Sequence, residues 1–211
     1  MTSFPLTIAV VGAGNVGGAL ARRWAAAGHT VRLGVRDLAA FKGQALLAAS
    51  PRITAHATAE AAAPADVVLV AAVPQATRQI AESLGNTAGK VLIDAMNSGR
   101  ARPDGYPTST HALLALTGNP DVVKCFNTTG FENLLDPVYP DGQGIDMFVA
   151  GDSVRGKQVA TRLALEIGCG ACHDFGGNDK LELLESLALS WINLAIMQGQ
   201  GRNVAFRLVR R

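Results

Sequence analysis

The residues of this chain best suited to chemistry are three glycines. Gly12, Gly14 and Gly17 follow a short apolar run, Thr7–Val11, and stand at the opening of a helix-forming stretch that begins at Asn15. Each has a separate task in such a turn. Gly12 permits the tight bend, Gly14 lets the backbone approach a ligand with no Cβ in between, and Gly17 lets the helix pack closely on the strand. The first amides of the helix, at Asn15 and Val16, then lie unpaired at the positive end of its dipole and form a cradle for a pyrophosphate. Such a turn needs a second strand after its helix, and Thr30–Leu33 supplies one. The end of that strand chooses the dinucleotide. An acidic residue would hold a ribose 2′-hydroxyl, but the place falls on Val35, and Arg36 follows. A guanidinium matches a phosphate bidentately, so Arg36 points to NADP. Asp37, next in the chain, keeps NAD open as the alternative.

Hydride chemistry asks little more of the protein than positioning two rings in a dry pocket. Loops at the carboxyl ends of the later strands should form that pocket. They carry Pro74 after one strand, Met96 and Asn97 after the next, and Asn127, Thr128, Thr129 and Gly130 after a third. Asn97 and Asn127 could orient a carboxamide or the polar edge of an acceptor; equally, they could satisfy loop backbone, the commoner task of Asn. No catalytic acid or base is expected.

The remaining reactive types read as structural. His29 follows the helix-ending Gly28, His56 ends a strand, and His111 lies on a helix face. Cys169-Gly-Ala-Cys172-His173 has the spacing of a haem attachment or a redox pair. Cys172 and His173 fall in or beside a strand, however, and not at a helix start, so the spacing is read as coincidence. Cys125 reads as a small buried apolar residue, and Lys124, inside its strand, as structural or surface.

The elements that must position these residues follow from hydrophobic periodicity. Strands are predicted at Thr7–Val11, Thr30–Leu33, Ile53–Ala55, Asp66–Ala71, Lys90–Asp94, Val122–Cys125, Met147–Ala150 and Ala171–Asp174. Helices are predicted over Asn15–Ala27, Leu38–Ser50, Gln75–Leu84, Ser109–Leu116, Val154–Ile167 and Lys180–Met197. The alternation implies an α/β fold, a Rossmann-type doubly wound, mostly parallel sheet with a small C-terminal helical extension. Residues 1–175 are expected to form the dinucleotide-binding part. Residues 176–211 are expected to add a helix, nearly apolar all round, that either covers the sheet or forms a dimer interface through Leu187, Trp191 and Leu194 while walling the acceptor pocket. The 211 residues are 48% hydrophobic, 17% charged and 5% aromatic, with a net charge of +2. That is material for one large core; no footprint for nucleic acid or a membrane surface is visible. The longest apolar run, Val67–Val73, is far too short to span a bilayer. With no charged leader before the glycine turn, a cytoplasmic protein is expected.

These segments together carry a resemblance. VVGAGNVGGALARRWAAAGHTV, the LGVRD turn, ADVVLVAAVP, KVLIDAMN, VVKCFNTTGFENL, MFVAGD and LELLESLALSWINLAI resemble the NADP-dependent oxidoreductases related to the deazaflavin (coenzyme F420) NADP reductases. The resemblance implies a homodimer that uses NADP and passes hydride to a small-molecule acceptor, a deazaflavin or a flavin as co-substrate. It also implies that Ala72-Val73-Pro74 borders the nicotinamide ribose. Two departures stand out: Val35 replaces the Ser or Thr that commonly precedes the arginine, and Asn127-Thr-Thr-Gly130 differs from the corresponding segment of the deazaflavin enzymes.

Overall fold

A computed structural model describes residues 4–99 and 101–211. One eight-stranded sheet runs through it in the order β3-β2-β1-β4-β5-β6-β7-β8. Its strands are β1 (Thr7–Val11), β2 (Thr30–Val35), β3 (Ile53–Ala57), β4 (Val67–Val70), β5 (Val91–Asp94), β6 (Val122–Lys124), β7 (Asp146–Ala150) and β8 (Ala171–Gly176). All eight strands fall where the periodicity placed them. β1 to β6 are mutually parallel; β7 turns antiparallel to β6 through the pair Lys124↔Ala150, and β8 runs parallel to β7.

Alternate residues of the strands feed two cores. Ile8 and Val10 of β1 and Leu69 of β4 face a cluster with Leu20 and Trp24, whereas Ala9, Val11, Val68 and Val70 face Ala61, Ile80 and Leu113. Such two-sided burial is why these strands read as unbroken apolar runs. Helix α1 (Asn15–Ala26) lies on the first face, where the Trp24 indole N–H donates to Leu163 O at 3.2 Å. That carbonyl belongs to α7 (Val154–Glu166). Gly28 and Gly168, just past these two helices, adopt φ of 100° and 106°, left-handed conformations that stop a helix at little cost.

Three helices depart from expectation. The stretch Leu38–Ser50 forms only the short α2 (Gln44–Leu47). The Asp37 carboxylate accepts the Ala39 and Ala40 amides at 2.9 and 3.2 Å, closing a turn in place of a first helical turn. A Cβ on Gly43 would also lie 2.1 Å from the Phe41 ring. Two short helices went unpredicted, α3 (Thr58–Ala62) and α6 (Phe131–Leu135); α4 (Thr77–Ser83) and α5 (Ser109–Thr117) lie between them.

The chain's last long helix, α8 (Leu181–Ile192), continues as a π-turn over Asn193–Met197. Leu181 and Leu184 of its apolar stripe pack with Phe148 and Phe175 of the sheet, and the stripe continues through the buried Ala188 to Trp191. Trp191 does not form an outward seam. It is 5% exposed, and its indole N–H donates to Val204 O in the chain's own C-terminal tail. The tail is further held by Asn133, which donates to Arg202 O and Val204 O, and by Asp146, which accepts the Leu208 amide at 2.7 Å. Arg202 lies 5.6 Å from the ring centres of both Phe131 and Trp191.

Candidate functional site

The chain leaves β1 toward β2 and returns as β4 on β1's other side, so a crevice opens at the carboxyl ends of β1 and β4. The glycine turn occupies it. Gly12 has φ of 99°, and a Cβ there would lie 2.4 Å from Ala71 O. A Cβ on Gly17 would lie 1.9 Å from Gly12 O and 3.1 Å from a Val10 methyl. Both glycines are therefore demanded by the chain's own packing. Gly14 is different: its φ of −75° suits any residue, and a Cβ would meet nothing within 4 Å. It sits at the N-cap of α1, with no side chain capping the first amides. Asn15 beside it is exposed and Val16 half-buried. The fold leaves this space empty without needing to, which fits an external phosphate.

Beside the turn lies a cleft of about 600 Å³, lined by Gly12, Gly34, Arg36, Phe41, Ala72 and Ile80 among others. A volume of this order accepts an adenosine. No carboxylate lines it. Val35 turns into the core, while Arg36 is exposed on the rim and has no hydrogen bond or ion pair to any described residue. Asp37, the residue that kept NAD open, has its carboxylate engaged in its own turn. The residues fit an adenosine carrying a 2′-phosphate.

Toward β4, β5 and β6 the proposed ring-binding residues separate into two groups. Val73 is 61% exposed, and Pro74 beside it is buried, its carbonyl accepting the Thr77 hydroxyl at 2.6 Å. Asn97, exposed, lies with its side-chain oxygen 3.5 Å from the Asn127 amide nitrogen. Asn127 is 4% exposed, and its own side-chain oxygen is buried without a hydrogen-bond partner. The residue before it, Phe126, has φ of 67°, strained for a bulky side chain, and packs edge-on against Trp24 at 5.6 Å. The fold thus forces the chain to turn sharply just before Asn127. Thr128 and Thr129 are buried, with hydroxyls turned to Met147 and Asn133 at 3.7 and 2.8 Å. Gly130 caps α6, where a Cβ would lie 2.8 Å from the Trp191 ring.

Beneath these loops is a cluster that sequence reading did not identify. Lys124 is fully buried, not a surface residue, and its ammonium meets three segments, hydrogen-bonded to two and ion-paired with the third. It lies 3.1 Å from Asp94 Oδ2 at the end of β5, 2.8 Å from Met96 O in the next loop, and 2.7 Å from Glu185 Oε1 on α8. Asp94 Oδ2 also accepts the Ser109 and Thr110 hydroxyls at 2.6 Å each, and Oδ1 accepts the Met96 amide. Glu185 Oε2 accepts the Ser98 amide at 2.9 Å, and Ser98 is bonded to Ser109. Burial alone would push Lys124 toward neutrality; the two carboxylates outweigh it and hold the amine above the ordinary lysine range. One signal could have found the cluster: Glu185 stands on the apolar stripe of α8, between Leu181 and Ala188 at helical spacing, where a lone charge needs a partner.

The histidines and cysteines take structural places. His29 accepts the Leu6 amide at Nδ1, which leaves the Nε2 proton for Glu166 at 2.8 Å. His173 pairs with Asp146 at 2.8 Å. All three cysteines are free thiols, and among the described residues no group of His, Cys, Asp and Glu is placed to hold a metal ion. No helix of the described residues is long and apolar enough to cross a membrane.

Residues 7–98 match the family model described as NADP oxidoreductase, coenzyme F420-dependent. A crystal structure from Arthrobacter sp. FB24, described as a candidate F420-dependent NADP reductase, is 27% identical; it superposes with a TM-score of 0.84, over 97% of this chain and 100% of that one. A hypothetical protein from Sinorhizobium meliloti is 26% identical, with a TM-score of 0.71 over 98% and 96%. The 3-hydroxyisobutyrate dehydrogenase of Mycobacterium tuberculosis, 20% identical, shares the fold with a TM-score of 0.65 over 93% of this chain and 64% of that one. No curated protein sequence matches the chain. The glycine turn, the open cleft and the unpaired Arg36 all lie within residues 7–98, the segment that is similar to the NADP oxidoreductases of that family model.

Proposed function

We propose that the protein is an NADPH-dependent reductase that passes hydride to a planar ring acceptor, a deazaflavin or a flavin. The observation that carries the NADP half is the pairing of an unengaged Arg36 on the cleft rim with an Asp37 withdrawn into its own turn. The acceptor half rests on the family description and on the likeness to the Arthrobacter structure.

The bound dinucleotide would supply the hydride; the residues of this chain would hold it. The amides at the start of α1 would hold the pyrophosphate in the space left by Gly14, with Asn15 and Val16 beside it. Arg36 would pair with the 2′-phosphate, and Ala72, Val73 and Pro74 would border the second ribose. Asn97 and Asn127 would face the ring and its acceptor, and the Thr128–Gly130 segment, whose hydroxyls are turned inward, would contribute through its backbone. Loop amides suffice to stabilise charge that develops on an accepting ring, so no titratable side chain is required. The chain would act as a homodimer: Leu183, Ile196 and Met197, on α8 and its π-turn, are more than half exposed and offer an apolar contact that Trp191 does not.

The test is NADPH consumption, followed at its nicotinamide absorbance, with F420 and with FMN as separate acceptors. Turnover with either supports the reading. Tight NADPH binding with no turnover on any flavin or deazaflavin would replace it with a dinucleotide-binding sensor.

A further inference from the structure

Four groups of the loop that follows β5 are held by the buried cluster. The Met96 amide is bonded by Asp94, the Met96 carbonyl by Lys124, the Ser98 amide by Glu185 and the Ser98 hydroxyl by Ser109. Between these clamped residues stands Asn97, which is exposed and touches Asn127 of the neighbouring loop. The same helix that brings Glu185 also presses Leu189 against Gly99, where a Cβ would lie 2.7 Å from the leucine side chain.

A core of this kind is an expensive way to obtain stability alone. A buried pair of charges regains its desolvation cost only with good geometry, and apolar residues of similar volume commonly do as well. Here three charges and three hydroxyls are spent on the backbone of one short loop. Fixed orientation is what such a network provides and an apolar core does not.

We infer that Asp94, Lys124 and Glu185 are positioning residues, which clamp the loop after β5 so that Asn97 is presented, together with Asn127, to the nicotinamide half of the cofactor. The inference rests on the proposed reading of the crevice as an NADP site. It makes α8 part of the ring-binding apparatus through Glu185, without any contact between α8 and cofactor being needed. The cluster leaves the adenosine half alone, since the cleft that fits it is built from β1, β2, β4 and their loops.

Two ligands separate the halves: NADPH, and 2′-phospho-ADP-ribose, which is the same molecule without its nicotinamide. Removing the Lys124 amine would strand two carboxylates and endanger the fold, so the variants are Glu185→Ala, Glu185→Gln and Asn97→Ala. Glu185→Ala is expected to raise the Kd for NADPH by about tenfold, a loss of the size of one or two hydrogen bonds, with 2′-phospho-ADP-ribose unchanged within about twofold. Glu185→Gln keeps an acceptor for the Ser98 amide and is expected to recover most of the loss. Asn97→Ala is expected to match Glu185→Ala, and the double variant to be no worse than either single one, because both act on one contact. Enhanced fluorescence of bound NADPH, which reports immobilisation of the reduced ring, should fall in the same order. Equal weakening of both ligands, additive losses in the double variant, or a wild type that binds the two ligands equally well would overturn the inference alone. Failure of the wild-type protein to bind either ligand would overturn the dinucleotide reading with it.

Discussion

Arg36→Ala isolates the choice between NADP and NAD in a single side chain. In the free protein Arg36 holds nothing in place: it is exposed and bonded to no described residue, so its removal should leave folding stability within about 0.5 kcal/mol. Its whole effect should appear on ligand binding. A guanidinium on a phosphate dianion makes charge-assisted contacts worth about 1.5–3 kcal/mol, but the rim of the cleft is open to solvent and ions, so the lower half of that range applies. About 1.5–2 kcal/mol corresponds to a rise in the NADPH Kd of about 10- to 30-fold, with NADH unchanged within about twofold. The loss should shrink as salt is raised, because the contact is electrostatic and exposed. Isothermal titration of wild-type and variant protein with both cofactors, at two salt concentrations, measures all of this. Asp37→Ala is the matching control. Since the Asp37 carboxylate already serves the Ala39 and Ala40 amides, NADH affinity should change little. Equal loss of NADH and NADPH in Arg36→Ala would remove Arg36 from the 2′-phosphate site. A large and selective loss of NADH in Asp37→Ala would make Asp37 the ribose ligand after all.

Three further outcomes follow from the geometry. Gly14→Val should keep the fold by circular dichroism yet abolish dinucleotide binding, whereas Gly17→Ala should lower the melting temperature steeply, its Cβ being placed 1.9 Å from Gly12 O; about 3 kcal/mol or more is expected for such a forced shift. Of the three thiols only Cys172 should react readily with a disulfide reagent: burial pushes Cys169 up to about 12 and Cys125 well above its ordinary value, while hydrogen bonding to Cys125 and Thr161 lowers Cys172, so Cys172→Ser should abolish fast labelling. Asp121 is held below the ordinary carboxylate range by the Ser153 hydroxyl and by Arg155 at 2.7 Å, and a depressed carboxylate contributes stability that is present above its unfolded value and lost as pH falls through its folded one. Urea midpoints should therefore fall below about pH 4, and less steeply in Asp121→Asn; an identical acid limb in the variant would refute the assignment.

The sequence by itself determined what local physics determines. Strand positions were legible because two-sided burial leaves apolar runs such as Val67–Val70 that no other element explains. The glycine turn was legible because Gly12 and Gly17 answer contacts that any strand–turn–helix of this kind must make. The stretch after β2 was misread because its periodicity favours a helix, while the Asp37 turn and the contact between Phe41 and Gly43 favour a loop that lines the cleft. Only the tertiary structure decided the rest. Whether Asp37 was free to bind a ribose depended on two backbone amides. Whether Trp191 faced outward depended on a tail that folds back over it. The clamp under Asn97 joins Asp94, Lys124 and Glu185, residues 30 or more places apart, and each reads singly as an ordinary charge. Their meaning arises from the parallel sheet, which lays the ends of β5 and β6 side by side, and from α8, which returns across them to bury a carboxylate against an amine. Sequence spacing carries no trace of such a meeting, because the forces that make it, desolvation and charge pairing, exist only once the chain has closed.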